Sequence, residues 1–212
     1  MAAVDAVLQD GYHAAFSLMR PPGHHASSEK AMGFCLFNNV AIAAHYAEAA
    51  YGIERICIFD WDVHHGNGTQ DIFYSSPSVL FCSFHQLPLY PHSGECHEIG
   101  MGPGKHLTVN CPFPEDTGID HFLETLEHDL LPRITAFEPG LFLISAGFDA
   151  HRLDPLAGLR LENHDYHKLT MWVNQLAERY THGRVVSILE GGYHLQSLSG
   201  SVVEHVRALT EA

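Results

Sequence analysis

Acidic and imidazole side chains alternate at positions 60–65 (DWDVHH), a pattern that could bind a metal ion. In extended backbone alternate residues share a face, so Asp60, Asp62 and His64 are expected to point the same way. Asp149, after another predicted strand, could supply a third ligand. Three protein ligands and an open position are typical of catalytic zinc, which polarises a carbonyl and activates water. Such an oxygen-rich ligand set also suits Fe²⁺ or Co²⁺.

Two adjacent histidines, His24 and His25, follow a proline-rich turn that stiffens their loop. A neutral imidazole can take a proton from water while a carboxylate holds its other nitrogen. Asp60 is the predicted partner of His24, and Asn67 is the candidate partner of His25. The uncharged amide of Asn67 would raise an imidazole pKa less than a carboxylate would.

Tyr193 ends the segment EGGY, in which two glycines allow the backbone to turn a phenol toward a metal site. A phenol O–H could stabilise the oxyanion of a tetrahedral intermediate. Each of these motifs alone also has an ordinary interpretation: the acids cap turns, the histidines lie on the surface, and the tyrosine packs in the core.

Aromatic residues stand in two loops, at Phe34 after Gly33 and at Tyr90 before a proline. Their rings could wall a slot for an aliphatic chain, or they could anchor the loops on the core. A thiol nucleophile is a weaker alternative, since Cys35 and Cys96 lie near histidines without a recognisable activating pattern.

The elements that must position these residues alternate between strand and helix. Short apolar runs predict buried parallel strands at positions 14–19, 55–59, 79–84, 106–110, 141–145 and 185–189. Helical spacing predicts helices at positions 39–50, 119–137, 163–180 and from 197 onward, with another near the N-terminus. Pro132 requires a kink or a break in the second of these helices. The order predicts an α/β fold with a largely parallel sheet flanked by helices.

Polar, glycine-containing turns follow four of the predicted strands: RPPGHHA, DWDVHHGNG, AGFDAHRLDP and EGGYH. In open α/β sheets ligands bind beyond the carboxyl ends of the strands. Four such turns converging on one edge favour a metal-dependent active site over unrelated turn caps.

The amino-acid composition further limits the classes of function that are possible. The chain has 212 residues, of which 46% are hydrophobic, and this suits one globular domain. A net charge of −14 disfavours direct binding of nucleic acid and suits cationic substrates such as lysine tails or polyamines. Five cysteines without CxxC spacing indicate reduced thiols and a cytoplasmic protein. No signal peptide and no apolar run of ~20 residues is found, so no membrane association is expected.

Five motifs in order resemble the histone deacetylase superfamily, above all its class II and bacterial branch: RPPGHHA, GFCLFNNVAIAA, DWDVHHGNGTQDIFY, AGFDAHRLDP and EGGY. The resemblance runs from about Ala14 to the C-terminus. It implies the arginase/deacetylase-like fold and a zinc-dependent amidohydrolase. The implied substrate is an acetyl-lysine protein or peptide, whose side chain loses its acetyl group.

The resemblance also implies roles for individual residues. The metal ligands would be Asp62, His64 and Asp149. The general base and acid would be His24 and His25, oriented by Asp60 and Asn67, with Tyr193 stabilising the transition state. Substrate contacts would come from Gly33, Phe34, Tyr90 and Leu156. Structural K⁺ sites of the family resemble the surroundings of Asp60, Asp62, His64 and Ser83, with a second near Phe73 and Val79.

Two alternatives to lysine deacetylation stay open at this point. Leu156 takes the position of a glutamate gatekeeper in polyamine-selective relatives, so leucine favours acyl-lysine, but an acetylpolyamine or other small amide is the first alternative. Domains of the family are longer, and the single domain over 1–212 is expected to lack its N-terminal portion. A non-catalytic, truncated module that binds acyl-lysine is therefore the second alternative. The oligomeric state is open.

Overall fold

Six parallel strands form one open sheet in the computed structural model, which describes residues 1–211. In chain order the strands are β1 (Ala14–Ser17), β2 (Ile56–Asp60), β3 (Val79–Gln86), β4 (Thr108–Phe113), β5 (Leu141–Ala146) and β6 (Val185–Leu189). Across the sheet they run β1-β6-β5-β2-β3-β4, and each neighbouring pair is parallel. The predicted α/β fold is confirmed, and the described sheet is parallel throughout.

Within the same residues the α-helices are α1 (Ala2–Leu8), α2 (Asn39–Tyr51), α3 (Asn67–Phe73), α4 (Ile119–Thr125), α5 (Leu131–Phe137), α6 (Asn163–Thr181) and α7 (Leu195–Thr210). Among the described residues, no helix combines the length and apolar character needed to span a bilayer.

The two faces of the sheet have separate hydrophobic cores, because successive strand residues point to opposite sides. Phe59 and Phe142 belong to one core, in which Trp172 of α6 packs edge-on against Phe59. Ile58 and Leu143 belong to the other core, together with the alanines of α2. Strands β2, β3, β5 and β6 are buried along their whole length. Burial on both faces explains why their sequences are nearly continuous apolar runs.

The helix predicted over positions 119–137 is present, but its α-helical hydrogen bonding is interrupted just before Pro132, where a kink or a break was expected. Proline lacks the N–H that a helical residue donates four positions back, and its ring crowds that carbonyl. Helix α4 ends at Thr125, a π-helical segment covers Leu126–Leu130, and α5 begins at Leu131. Pro132 lies in the first turn of α5, where a missing N–H is tolerated.

Two predicted strands have different bounds, and one helix was missed. The strand predicted over positions 14–19 ends at Ser17. The strand predicted over positions 106–110 begins only at Thr108 and continues to Phe113, because His106 has a left-handed backbone with φ of 75°. Helix α3 was not predicted, because its GNG start favours a turn. In the structure the N–H groups of Gly68 and Thr69 in this helix donate to the carbonyl of His24, at 3.0 and 3.1 Å. Helix α3 therefore supports the loop that carries the two histidines.

Candidate active site

The four polar turns meet at one edge of the sheet, as predicted. Strands β1, β6, β5 and β2 are neighbours in that order, and all four end at the same edge. In the strand register Asp60, the last residue of β2, pairs with Ser145 of β5. The turns after these strands therefore start side by side, which brings residues far apart in sequence into one cluster.

Asp62, His64 and Asp149 form a buried triad that can hold a metal ion. One potential ligand atom from each lies within 4.8 Å of the others. The Nδ1 atom of His64 is 3.1 Å from Asp62 Oδ1 and 3.1 Å from Asp149 Oδ2. The second oxygen of each carboxylate is held by backbone, since Gly191 N–H donates to Asp62 and Val63 N–H donates to Asp149. Both carboxylate ligands are thus oriented by the surrounding backbone.

The electrostatics of the triad favour a bound cation. Burial and the charge of Asp62 raise the pKa of Asp149 to about 7. Burial would lower the pKa of His64, but its hydrogen bonds to Asp149 and Asp62 raise that pKa to about 10. Two carboxylates that approach one buried nitrogen repel each other unless positive charge lies between them. The donor set of one nitrogen and two carboxylates therefore fits a divalent metal ion.

Asp60 lies beside this triad without being one of its ligands, in keeping with its predicted role as the partner of His24. It ends strand β2, and both Asp60 and Asp62 approach the imidazole ring of His24. Asp60 Oδ2 lies 2.8 Å from His24 Nδ1, and its other oxygen accepts the N–H of Asp62. The pairing predicted between Asp60 and His24 is present.

The tandem histidines differ in their hydrogen-bond partners and in the direction in which their pKa values are shifted. His25 Nδ1 lies 2.8 Å from Asn67 Oδ1, which is the predicted pair. Burial and the neighbouring His24 lower the pKa of His25 to about 3, so its imidazole is neutral near pH 7. Burial would also lower the pKa of His24, but Asp60 and Asp62 raise it well above its ordinary value. The two ring centroids are only 4.1 Å apart.

A pocket of about 460 Å³ opens above the triad. Its walls contain all four residues predicted to contact substrate, together with the other residues of the lining: His25, Gly33, Phe34, His64, Leu89, Tyr90, Leu156 and Tyr193. Phe34 is 72% exposed, so the alternative that this aromatic ring anchors its loop on the core is wrong. Leu89 was missed, although it adjoins Tyr90 in the same loop.

Tyr193 borders this pocket, with its ring centroid 6.0 Å from that of Phe34. Burial and the carboxylates of Asp62 and Asp149 raise the pKa of the Tyr193 phenol. The phenol is therefore a protonated hydrogen-bond donor at neutral pH. The alternative of an ordinary core tyrosine does not fit a side chain that lines a cavity.

Glu190 is a buried part of the site that sequence reasoning missed. Its Oε2 accepts the N–H groups of Gly23 and His24, at 2.6 and 3.1 Å. Its Oε1 accepts the hydroxyl of Ser145 at 3.1 Å. Burial raises the pKa of Glu190 to about 7. A glutamate directly after a buried strand was the available signal, since a side chain there is buried and needs partners.

The thiol alternative has no support in the geometry. Cys35 is buried, its Sγ donates to the carbonyl of Gly33, and burial raises its pKa to about 11. A nucleophilic thiol needs a lowered pKa instead. Cys96 is exposed and does not line the pocket.

Comparison with known proteins identifies the family. The family model described as "Histone deacetylase domain" matches residues 1–209. The chain belongs to the histone deacetylase family. The chain is also similar to the solved structure titled "Crystal Structure of HDA15 HD domain", with a TM-score of 0.94 and 40% identity. That match covers 99% of this chain and 59% of the other, and it confirms the arginase/deacetylase-like fold.

Several relatives carry deacetylase names. "Histone deacetylase 14, chloroplastic" of Arabidopsis thaliana is 45% identical over 99% of this chain and 51% of that relative. The "Histone deacetylase-like amidohydrolase" of Pseudomonas aeruginosa is 43% identical over 91% of this chain and 51% of that relative. "Polyamine deacetylase HDAC10" of Mus musculus is 44% identical over 97% of this chain and 31% of that relative. The chain thus spans about half the length of the first two.

Gly191 must lack a side chain for the triad to form. A Cβ atom there would lie 2.1 Å from Asp149 Oδ2 and 2.5 Å from Asp62 Oδ2. We expect Gly191→Ala to weaken metal affinity by about 10- to 100-fold, the usual effect of disturbing groups that orient metal ligands. Metal titration followed by elemental analysis measures this loss. Gly140→Ala is the matched control, because its Cβ would meet only ordinary contacts from 3.5 Å. Equal metal affinity in both variants would contradict the assignment of the triad.

Proposed function

We propose that this chain is a zinc-dependent amidohydrolase that removes acetyl groups from lysine side chains. One observation carries the proposal: the metal triad reaches a pocket through His64, and a neutral imidazole and a protonated phenol line the same pocket. Membership of the deacetylase family supports the same reaction class. The products would be acetate and the free amine.

Asp62, His64 and Asp149 would hold the metal. Zinc is the ion we propose, and the oxygen-rich donor set also admits Fe²⁺ or Co²⁺. When bound, the ion polarises the amide carbonyl and lowers the pKa of a water molecule. Asp62 and His64 follow β2, Asp149 follows β5, and His64 lines the pocket.

His25 is the proposed general base. Its Nδ1 is engaged by the side-chain oxygen of Asn67, which makes Nδ1 the protonated nitrogen and leaves the Nε2 lone pair free. A neutral imidazole in that tautomer can take the proton of the attacking water. When the carbon–nitrogen bond breaks, the proton passes from an imidazole to the leaving amine. His24, which is hydrogen-bonded to Asp60, would stay protonated and place a positive charge next to His25 during this step.

Tyr193 is the proposed donor to the oxyanion. Its phenol stays protonated and lines the pocket beside His25 and His64. As the carbonyl oxygen gains negative charge in the transition state, a donor already in place stabilises it without reorganisation.

An acyl-lysine side chain suits the shape of the pocket. Phe34 and Tyr90 offer aromatic walls to the lysine methylenes. Leu156 lines the same pocket, is 44% exposed and adds no charge that would select a polyamine. The net charge of −14 would attract a cationic peptide tail.

A second candidate is hydrolysis of an acetylated polyamine. It is favoured by the 44% identity to the relative named "Polyamine deacetylase HDAC10". A non-catalytic acyl-lysine-binding module is the remaining alternative, and metal binding without hydrolysis would distinguish it. The potassium sites, the oligomeric state, the domain limits 1–212 and the cytoplasmic location stay predictions.

Tyr193→Phe tests the mechanism directly. We expect kcat for an acetyl-lysine peptide to fall by roughly 10²- to 10³-fold, because one oxyanion donor is removed. Metal content should stay unchanged, since Tyr193 is not a ligand of the triad. Tyr12→Phe is the matched control, at a tyrosine that is 63% exposed and outside the pocket. Full activity of Tyr193→Phe would show that the phenol does not stabilise the oxyanion.

Leu156→Glu tests the choice between substrates. A carboxylate in this wall of the pocket would attract the distal ammonium groups of a polyamine. It would also remove the apolar contact between Leu156 and the lysine methylenes. We expect the ratio of kcat/KM for acetylpolyamine to kcat/KM for acetyl-lysine peptide to rise by about tenfold. One favourable contact between opposite charges has roughly this effect. Leu153→Glu is the control, since Leu153 is 45% exposed on the same loop and does not line the pocket. The same shift in both variants would mean that general charge, not Leu156, sets the preference.

A further inference from the structure

The carboxylate of Asp154 connects two walls of the pocket. Asp154 is buried, at 6% exposure, although it lies outside the metal triad. Its Oδ2 accepts the backbone N–H of Tyr193 at 2.7 Å and, at 3.4 Å, that of His194. Its Oδ1 accepts the backbone N–H of Leu156 at 3.1 Å. One side chain therefore anchors the backbone of both Tyr193 and Leu156.

Tyr193 needs such an anchor because of where it lies in the chain. Strand β6 ends at Leu189 and helix α7 begins at Leu195, so no regular element holds the residues between them. Two glycines precede Tyr193, and Gly192 has a φ of 127° that other residues rarely adopt. Glycine gives a backbone more conformations than other residues do. A phenol that must donate at a defined point requires a restraint on this segment.

We propose that Asp154 is a positioning residue, which fixes the Tyr193 phenol and the Leu156 side chain through their backbone N–H groups. The proposal rests on the proposed function, because it assigns Asp154 to the reaction through Tyr193 and to substrate choice through Leu156. Hydrogen bonds from N–H groups to a buried carboxylate are strong and directional. Loss of this carboxylate should therefore disturb catalysis and selectivity together.

The first test is a double-mutant cycle. Asp154→Ala should lower kcat for acetyl-lysine peptide by about 10- to 100-fold, because a small displacement of a catalytic group costs this much. In the Tyr193→Phe background the same substitution should change kcat very little, since the phenol on which it acts is gone. The preference for peptide over acetylpolyamine should also weaken, while metal content stays equal to that of the unmodified chain.

Asp165→Ala is the matched control. Asp165 is a buried carboxylate, at 3% exposure, that accepts a backbone N–H at the start of α6 and lies outside the pocket. Its loss should lower stability without changing the ratio of activities on the two substrates. If Asp154→Ala lowers kcat by the same factor with Tyr193 intact and in the Tyr193→Phe background, Asp154 has only a general structural role and the proposal is overturned.

A second variant keeps the proposal testable if Asp154→Ala does not fold. Asp154→Asn keeps the volume and one acceptor oxygen, but its amide group faces one of the N–H groups that the carboxylate held. We expect a smaller loss of kcat, again absent in the Tyr193→Phe background. Equal losses in the two backgrounds would overturn the proposal here as well.

Amide hydrogen exchange separates this proposal from the proposed function. Asp154→Asn should speed exchange at the N–H of Tyr193 or Leu156, and Asp165→Ala should not. If the unmodified, zinc-loaded chain hydrolyses neither substrate, the proposed function fails, and exchange still decides whether Asp154 anchors these segments. Unchanged exchange at both amides in Asp154→Asn would overturn the anchoring itself.

Discussion

The mutual repulsion of Asp62 and Asp149 is the constraint on which the arrangement of this site depends. Both carboxylates are buried, and both approach the Nδ1 atom of His64 at 3.1 Å. Charges placed this way are costly unless a cation and fixed hydrogen bonds compensate them. The parallel sheet meets this cost, because neighbouring strands end together and their turns supply N–H groups, such as that of Gly191, to the outer carboxylate oxygens. The fold thus preorganises the ligands before any substrate enters.

A second layer of buried carboxylates positions the groups around the triad. Asp60 holds the imidazole of His24, Glu190 holds the backbone of the histidine loop, and Asp154 holds the backbone of Tyr193. Each of these acids joins segments that follow different strands or loops. The proposed catalytic groups lie in turns, where backbone alone gives little rigidity. Hydrogen bonds between these segments therefore fix the positions of the side chains in the site. The sheet contributes by bringing the starts of the segments to one edge.

Much of the fold, and most of the residues that form the site, could be predicted from the sequence. Apolar runs such as 185–189 are read correctly because a strand buried on both faces needs no alternation. Helix α3 and the start of β4 were missed, since their backbone depends on contacts with other segments, including the carbonyl of His24. The roles of Glu190 and Asp154 were missed for a related reason. Glu190 bonds to Gly23 and Asp154 to Tyr193 across 167 and 39 positions, and no local pattern encodes such long-range pairings.

Whether hydrolysis depends on a metal ion held by the triad is the decisive question for the proposed mechanism. Release of acetate from an acetyl-lysine peptide would be followed with zinc-loaded protein, with the same protein after chelation verified by elemental analysis, and after zinc is restored. We expect turnover that disappears with the metal and returns with it, because a cation held by the triad would polarise the carbonyl. Turnover that persists in verified metal-free protein, or folded zinc-loaded protein that hydrolyses neither acetyl-lysine nor acetylpolyamine, would contradict the proposed mechanism.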